Sequence, residues 1–181
     1  DLPALAKIQV FSSANNGPVK VIGRAPNLKC VGIGTDGAVF QSLSAPSFVY
    51  KLYPQDKLNR AKNEALVYRL LGDSPYFPKY FAAADNYLVI SYEEGVTLYD
   101  CILKGIHISQ EIVQQVEEAR TYIRSKDLNP RDIHLKNIIL QNDKAKIIDV
   151  SEYIIEGNDY RWEHLKQGYT QYYHLIDSKS V

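Results

Sequence analysis

Methionine is absent from this sequence of 181 residues, and cysteine occurs only twice. Cys30 and Cys101 stand in no C-x-x-C or other metal-ligand spacing, which argues against a disulfide framework or a zinc site. No N-terminal stretch has the basic, apolar and small-residue order of a secretory signal, so we expect a reduced, cytoplasmic protein. Because methionine is missing even at position 1, we also expect a chain that is trimmed or lacks modified methionines, with some spacings slightly compressed.

An excess of either charge is absent as well, since 21 Lys and Arg balance 21 Asp and Glu. The field of the whole molecule therefore gives no reason to expect nucleic-acid or membrane binding. No apolar run approaches the roughly 20 residues that cross a bilayer, and no repeat or low-complexity tract is present. With 45% hydrophobic residues, the chain can bury an ordinary core. Function must be inferred from local motifs.

The first half of the chain predicts a small antiparallel sheet with one helix. Residues 1–27 contain Pro, Asn and Gly with little periodicity, so we expect an N-terminal extension with one short helix near 2–10. Alternating or apolar runs predict five strands, at 28–31, 38–43, 47–53, 80–83 and 87–91. Residues 56–71 predict a helix that presents four side chains on one face: Ala61, Glu64, Tyr68 and Leu71.

The second half predicts mainly helix. Ser109 is a plausible N-cap for a helix over 110–125 whose apolar stripe consists of Ile112, Val116, Ala119 and Ile123. A hairpin is predicted from 137–140 and 144–148, and a Tyr-rich helical stretch from 159–176. The aromatic face of that stretch could bind a partner, but such faces more often pack against their own core.

Two carboxylates and an amide in this half have a spacing that suits phosphoryl transfer. Asn137 follows Asp132 by five residues, and Asp149 comes directly after the apolar pair Ile147-Ile148. Asp132 can orient an attacking hydroxyl, while Asn137 and Asp149 can hold Mg²⁺ against a nucleotide. Asp and Asn also cap turns, but that alternative does not account for an Asp after a buried strand.

A glycine-rich segment, Gly32-Ile-Gly34-Thr-Asp-Gly37, precedes this chemistry. Glycines let the backbone approach phosphates and aim N–H groups at them. In a dinucleotide-binding turn the same letters open a helix, whereas here the chain continues as a strand from Ala38. A plain hairpin turn is the alternative. The ammonium of Lys51 can reach nucleotide phosphates if Glu64 steadies it, although the two could also form an incidental exposed pair.

These motifs, in this order, resemble the signature of protein kinases over about residues 28–151. The resemblance implies an α+β fold with two lobes, an N-lobe of five strands at about 28–92 and a truncated helical C-lobe at about 93–181. The nucleotide would be held between the lobes.

The resemblance also implies roles for particular residues. Lys51, Glu64 and Asp132 would be catalytic, and Asn137 and Asp149 would bind Mg²⁺. ATP would contact the glycine segment, the strand that follows it, the lysine and the hinge, where Ile90 matches the gatekeeper position: Gly32, Gly34, Thr35, Gly37, Val39, Lys51, Ile90, Ser91 and Glu93.

The sequence departs from the common kinase pattern at three places. Pro130 replaces the His of His-Arg-Asp, Ser151 replaces the Gly of Asp-Phe-Gly, and no Ala-Pro-Glu or long activation segment follows Asp149. In this the chain is similar to RIO-type kinases, to the small kinases of the KEOPS complex and to short bacterial Ser/Thr kinases. Without the usual peptide platform, substrate choice would depend on residues 1–27 or on an unknown docking partner.

The resemblance implies Mg²⁺-dependent phosphoryl transfer from ATP to a Ser or Thr hydroxyl of an unknown protein acceptor. Three alternatives remain. His134 gives the form D-x-H-x-x-N, which is similar to aminoglycoside phosphotransferases, but the short gap between Tyr92 and Asp132 argues against a small-molecule acceptor. An ATP-binding pseudokinase scaffold fits Pro130 and Ser151, yet no key residue is lost. An ATPase fits the missing platform.

Overall fold

The structure is a computed structural model that describes residues 2–173, and it divides into two compact units, residues 1–93 and 94–181. The division falls after Glu93, close to the expected lobe boundary. Each unit has its own sheet and its own helices.

The first unit contains the predicted five-stranded sheet. Its elements are β3 (Leu28–Ile33), β4 (Ala38–Ser42), β5 (Phe48–Leu52), the helix α2 (Leu58–Leu71), β6 (Tyr80–Ala83) and β7 (Tyr87–Ser91). The strand order is β3-β4-β5-β7-β6, and every pair of adjacent strands is antiparallel. Strands β4 and β7 alternate between buried and partly exposed residues, as the period of two requires.

Helix α2 buries the face that its spacing predicts. Ala61, Glu64, Tyr68 and Leu71 are all at most 2% exposed. The helix follows a short 3₁₀ turn, Gln55–Lys57, so it begins two residues later than expected. The helix ends at Gly72, which has a φ of 67° and donates its backbone N–H to the Tyr68 carbonyl.

The structure of the N-terminal residues differs from the helix predicted near 2–10. Helix α1 covers only Leu2–Leu5, and β1 (Gln9–Phe11) then pairs with β2 (Lys20–Ile22). Asn15 adopts a left-handed backbone in the turn between them, which Asn tolerates better than most residues. Apolar side chains of this segment pack against Ala38, Phe40 and Leu52 of the main sheet: Ala4, Leu5, Ile8, Val10, Val19 and Ala25. Packing with distant strands therefore overrides the weak local helical pattern.

The second unit is built around a three-stranded antiparallel sheet of order β10-β9-β8. Its elements are β8 (Val96–Thr97), α3 (Leu98–Leu103), α4 (Gln110–Ser125), β9 (Ile138–Gln141), β10 (Lys144–Ile147) and α5 (Arg161–Gly168), with a π turn over Tyr169–Tyr173. Helix α4 has the predicted bounds and buries the predicted stripe. Strand β8 and helix α3 have no counterpart in the sequence prediction because both are too short to show a period.

The hairpin between β9 and β10 confirms its predicted turn. Asn142 and Asp143 have φ angles of 47° and 59°. A two-residue hairpin loop favours positive φ at both central positions, and Asn and Asp accept it at low cost.

The aromatic stretch packs within the second unit. Trp162 is buried and donates its indole N–H to Glu117 on α4, while the Tyr169 hydroxyl donates to the Ile108 carbonyl. The predicted helix over 159–176 is seen as α5 and the π turn, and its residues 174–176 lie outside the described part of the chain. No helix within residues 2–173 is long and apolar enough to cross a membrane.

Replacing Gly37 by Ala tests the packing of the β3–β4 turn. A Cβ at this position would overlap the Leu52 carbonyl oxygen, and backbone on both sides would have to shift. We expect Gly37→Ala to lower the free energy of unfolding by about 1–3 kcal/mol, measured by urea denaturation. Gly168→Ala is the control, since nothing lies within 4 Å of the added methyl group. Equal stability of the two variants would contradict this packing.

Candidate active site

A buried lysine and a buried glutamate face each other in the first unit. Lys51 on β5 places Nζ 2.7 and 3.0 Å from the two carboxylate oxygens of Glu64 on α2. The Tyr53 hydroxyl also donates to this carboxylate, and Lys51 Nζ lies 5.5 Å from the centroid of the Tyr53 ring. The structure thus brings together two of the three residues predicted to be catalytic.

Burial makes this pair different from an incidental surface contact. Glu64 is completely buried and Lys51 is 7% exposed. Removing two charges from water costs several kcal/mol per ion, and apolar side chains of similar size often give equal or greater stability. Stability alone therefore gives no reason for this pair, which favours a role in ligand binding.

The glycine-rich segment forms the connection from β3 to β4. The Gly34 N–H donates to the Gly37 carbonyl, and the Gly34 carbonyl accepts from the Val19 N–H, both at 2.9 Å. Of the three glycines in this segment, the fold requires Gly37, because a Cβ at Gly32 or Gly34 would lie 3.7 Å from its nearest neighbour, an ordinary contact. Close approach of a ligand is a reason for glycine at those two positions that fits the predicted role.

Three other residues predicted to contact nucleotide, Val39, Ile90 and Ser91, lie on β4 and β7, the strands on either side of β5. Val39 on β4 pairs directly with Lys51 on β5. Ile90 is buried on β7, and Ser91 at the end of β7 accepts a hydrogen bond from the Lys79 N–H at 2.8 Å and donates one to Glu93. Ser91 and Glu93 thus lie together where the hinge is predicted.

In the second unit, Asp132 occupies a loop that is held on several sides. Its backbone is left-handed, with a φ of 53°, and its N–H donates to Asp159 Oδ2 at 2.6 Å. Asn137 donates its side-chain N–H to the Asp132 carbonyl at 3.0 Å and lies 3.4 Å from the carboxylate. Arg161 Nη1 lies 2.5 Å from Asp132 Oδ1.

Asp149 lies beside this loop. The backbone N–H of Ile148, the residue before Asp149, donates to the Asn137 backbone carbonyl at 2.9 Å. This hydrogen bond holds the backbones next to the two predicted metal-binding residues together. The Asp149 carboxylate accepts from the Ser151 N–H at 3.0 Å and from its hydroxyl at 2.8 Å. The serine that replaces the expected glycine thus orients one carboxylate oxygen.

Burial and neighbouring charges shift the titration of Asp132. Loss of hydration raises its pKa from 3.8 to about 6, although the Arg161 guanidinium opposes this rise. Three further carboxylates, those of Asp149, Glu152 and Asp159, also raise it. The loop is therefore a region where negative charge accumulates and where a cation would be favourable.

His134 lies on the same side of the loop as the Asp132 carboxylate. Its Nε2 is 3.6 Å from Asp132 Oδ1, and its Nδ1 accepts the Lys136 N–H at 3.2 Å. Burial lowers the pKa of His134, and the charge of Arg161 lowers it further. A neutral imidazole that accepts a backbone N–H at Nδ1 carries its proton on Nε2, facing Asp132.

The donor atoms of this group fit Mg²⁺. Because the Asn137 side chain directs its amide N–H group at Asp132, the side-chain oxygen Oδ1 is the atom that remains for a ligand. Mg²⁺ prefers such oxygen donors and is often bound by one or two carboxylates together with substrate phosphates. Residues 2–173 contain no group of three or more His, Cys, Asp or Glu side chains placed to hold an ion. A bound metal would therefore depend on phosphates for further ligands.

No protein-family model matches the chain. It is 33% identical over 156 residues to the protein named "Putative serine/threonine-protein kinase YrzF" of Bacillus subtilis (strain 168), a match that covers 85% of this chain and 73% of that protein. The chain belongs to the protein-kinase-like superfamily. It is also similar to the solved structure of WbdD in complex with the kinase inhibitor LY294002, with a TM-score of 0.50 and 18% identity. That match covers 64% of this chain and 30% of the WbdD chain, and it shows the fold alone.

These similarities confirm the α+β, protein-kinase-like fold and support a kinase-like phosphotransferase. The roles of the individual residues stay predictions. Protein kinases in general use ATP and Mg²⁺, which the motifs of this kinase-like chain also predict.

Sequence reasoning missed Asp159 and Arg161. Asp159 supports the backbone of Asp132, and Arg161 contacts the Asp132 carboxylate from the first residue of α5. Pro130 stands where protein kinases have His, and no spacing could identify Asp159 as a support of this loop, because it lies 27 residues from Asp132 along the chain. Arg131, the middle residue of Pro130-Arg131-Asp132, also supports the loop, because it donates to the Glu156 carbonyl at 3.2 Å.

Asp132→Asn tests the electrostatic cost of this loop. The pKa of Asp132 is about 6 in the folded protein, compared with 3.8 for an Asp in the unfolded chain. Ionisation of Asp132 therefore destabilises the fold as the pH rises from 3.8 to about 6. Without divalent cations we expect Asp132→Asn to be more stable than the wild type by about 1–3 kcal/mol at pH 8. The difference should vanish below about pH 4, where both states bind the proton.

Urea denaturation at pH 4, 6 and 8 measures this difference. The control is Asp85→Asn, which removes an exposed carboxylate in the first unit. A pH-independent difference for Asp132→Asn would show that its carboxylate is not destabilising. Asn is the suitable replacement because it tolerates the left-handed backbone at this position.

Proposed function

We propose that the chain is an ATP- and Mg²⁺-dependent kinase that transfers the γ-phosphoryl group to a Ser or Thr hydroxyl of a protein. The observation that carries this proposal is the grouping of Asp132, Asn137 and Asp149 in the second unit. The Asn137 side chain donates to the Asp132 backbone carbonyl, and the Asn137 backbone carbonyl accepts the N–H of Ile148, the residue before Asp149. These are the three groups that orient a hydroxyl and hold Mg²⁺ in protein kinases.

In this proposal Asp132 would orient the acceptor hydroxyl. Its carboxylate lies beside the Asn137 amide and the Arg161 guanidinium, and its backbone is fixed by Asp159. A carboxylate held in this way can accept the hydrogen bond of a hydroxyl and direct its oxygen in line with the phosphorus atom. As the hydroxyl loses its proton during transfer, Asp132 can receive it.

The nucleotide is proposed to bind through the first unit. Lys51, steadied by Glu64, would neutralise the α- and β-phosphates, and the backbone around Gly32 and Gly34 would approach them closely. Asn137 and Asp149 would hold Mg²⁺, and the bound ion would supply positive charge against the nucleotide phosphates. Ile90, Ser91 and Glu93 would border the adenine.

A protein hydroxyl is the acceptor class that the comparison favours. The Bacillus relative is named a putative serine/threonine kinase, and the present chain covers most of its length. The name of that protein supports the acceptor class here.

The double variant Lys51→Met/Glu64→Gln tests the nucleotide role without leaving a buried charge unpaired. Removing the ammonium eliminates a charge-assisted contact to phosphate, so we expect the dissociation constant of Mg²⁺-ATP to rise about tenfold or more. Calorimetric titration measures this constant, and circular dichroism checks the fold. Lys62→Met, which removes an exposed lysine of the same helix, is the control. Wild-type affinity in the double variant would contradict the assignment.

The fate of the γ-phosphate tests the reaction. Purified wild type with labelled ATP, Mg²⁺ and a generic acceptor protein such as casein should yield phosphoserine or phosphothreonine. Asp132→Asn should bind ATP normally and transfer at least about 100-fold more slowly, because the hydroxyl loses its orienting carboxylate. Free phosphate as the sole product would favour the ATPase alternative. Binding of ATP without any turnover would favour a scaffold, and phosphorylation only of an aminoglycoside would favour a small-molecule enzyme.

A further inference from the structure

A cluster of three charged residues joins the tip of the glycine-rich segment to the start of helix α2. We call Asp36, Lys57 and Arg60 the loop clasp. Lys57 Nζ lies 3.0 Å from Asp36 Oδ1, and Arg60 Nε lies 3.6 Å from Asp36 Oδ2. Lys57 Nζ also donates to the Thr35 carbonyl at 2.6 Å. Each oxygen of the Asp36 carboxylate therefore faces a different cation.

The helix itself does not account for these cations. Lys57 is the N-cap of α2, Arg60 lies in the first turn, and that turn contains no acidic residue. Asp56 comes directly before Lys57, in the 3₁₀ turn that leads into α2, and its carboxylate accepts a hydrogen bond from the Ser12 hydroxyl. The N-terminus of a helix carries partial positive charge, so two cations there are unfavourable unless an anion lies nearby. Asp36, in the glycine-rich segment, is the anion that contacts both cations. The pattern is thus explained by what α2 holds rather than by the stability of α2 alone.

Partial burial strengthens the clasp relative to an ordinary surface pair. The side chains of Lys57 and Asp36 are 21% and 19% exposed. Charges that are shielded from solvent are screened less by salt than exposed ones. The two Lys57 contacts, one to a carboxylate and one to a carbonyl, also restrict two successive residues of the turn.

The clasp connects the two predicted phosphate-binding elements of this unit. Arg60 precedes Glu64 by four residues, about one helical turn, so both lie on the same side of α2. One end of the helix therefore holds the glycine turn, and its middle holds Lys51. The base of the turn is fixed separately by the hydrogen bond from Val19 to Gly34.

We infer that Lys57 and Asp36 are positioning residues for nucleotide binding, which hold the glycine-rich turn in the geometry that receives the phosphates. This inference rests on the proposed function. A carbonyl oxygen carries partial negative charge and would repel a phosphate, and Lys57 keeps the Thr35 carbonyl directed at α2. Lys57 acts through the turn and through no contact of its own with the nucleotide.

Lys57→Met tests the inference by removing the ammonium while keeping most of the side-chain stem. Without nucleotide, amide hydrogen exchange of residues 33–37 should accelerate, because the tip loses both of its Lys57 contacts. Losing one charge-assisted interaction should raise the dissociation constant and the KM of Mg²⁺-ATP about fivefold to tenfold. The kcat should change less than about twofold, because the reacting groups are untouched. Lys57→Arg, which retains the charge, should restore most of the affinity.

Lys62→Met on the same helix is the matched control and should match the wild type in both exchange and affinity. Unchanged exchange of residues 33–37 in Lys57→Met would overturn the inference, as would a fall in kcat with no change in KM. Faster exchange with unchanged affinity would also overturn it, because the turn would then have no part in binding ATP.

Failure of the proposed function gives a different result. In that case the wild type and the Lys51→Met/Glu64→Gln variant would bind Mg²⁺-ATP equally poorly. The exchange experiment needs no nucleotide, so its outcome for the clasp would still be read independently.

Discussion

The organisation of the first unit depends on one buried carboxylate. Glu64 has no exposure to water, and an unpaired charge there would cost several kcal/mol, a large part of the roughly 5–15 kcal/mol by which a typical domain is stable. It must therefore be met by the ammonium of Lys51 and the hydroxyl of Tyr53, which come from the same region of the sheet. This requirement fixes the rotation of α2, because Ala61 and Ala65 then face Tyr53 and Leu88 in the same cluster.

The regular elements followed from sequence where a period was long enough to recognise. The strands at 80–83 and 87–91 and the helix at 110–125 have the predicted bounds, and the face of α2 that contains Glu64 is buried. The prediction of a helix near residues 2–10 was wrong for the opposite reason. Their local pattern was weak, and pairing with residues 20–22 and packing against distant strands decided their structure.

The site was partly predictable for a similar reason. Motifs that are local in sequence identified Lys51, Glu64, Asp132, Asn137 and Asp149, and the structure places them in two groups, one in each unit. The contacts of Asp159 and Arg161 with Asp132 could not be predicted, because they join loops that are far apart in the chain. The clasp was hidden because single charged residues in a helix and in a turn have no distinctive spacing. Only the tertiary structure shows that Asp36 meets both cations.

The left-handed backbone of Asp132 also limits how this position can change over evolutionary time. Most residues with a Cβ are disfavoured at a φ of 53°, whereas Asp, Asn and Gly accept it. A descendant that lost the catalytic role proposed for Asp132 would still be selected for a foldable loop. Substitutions retained there should therefore be confined mainly to Asn and Gly, so that the shape of the loop outlasts its chemistry in the lineage.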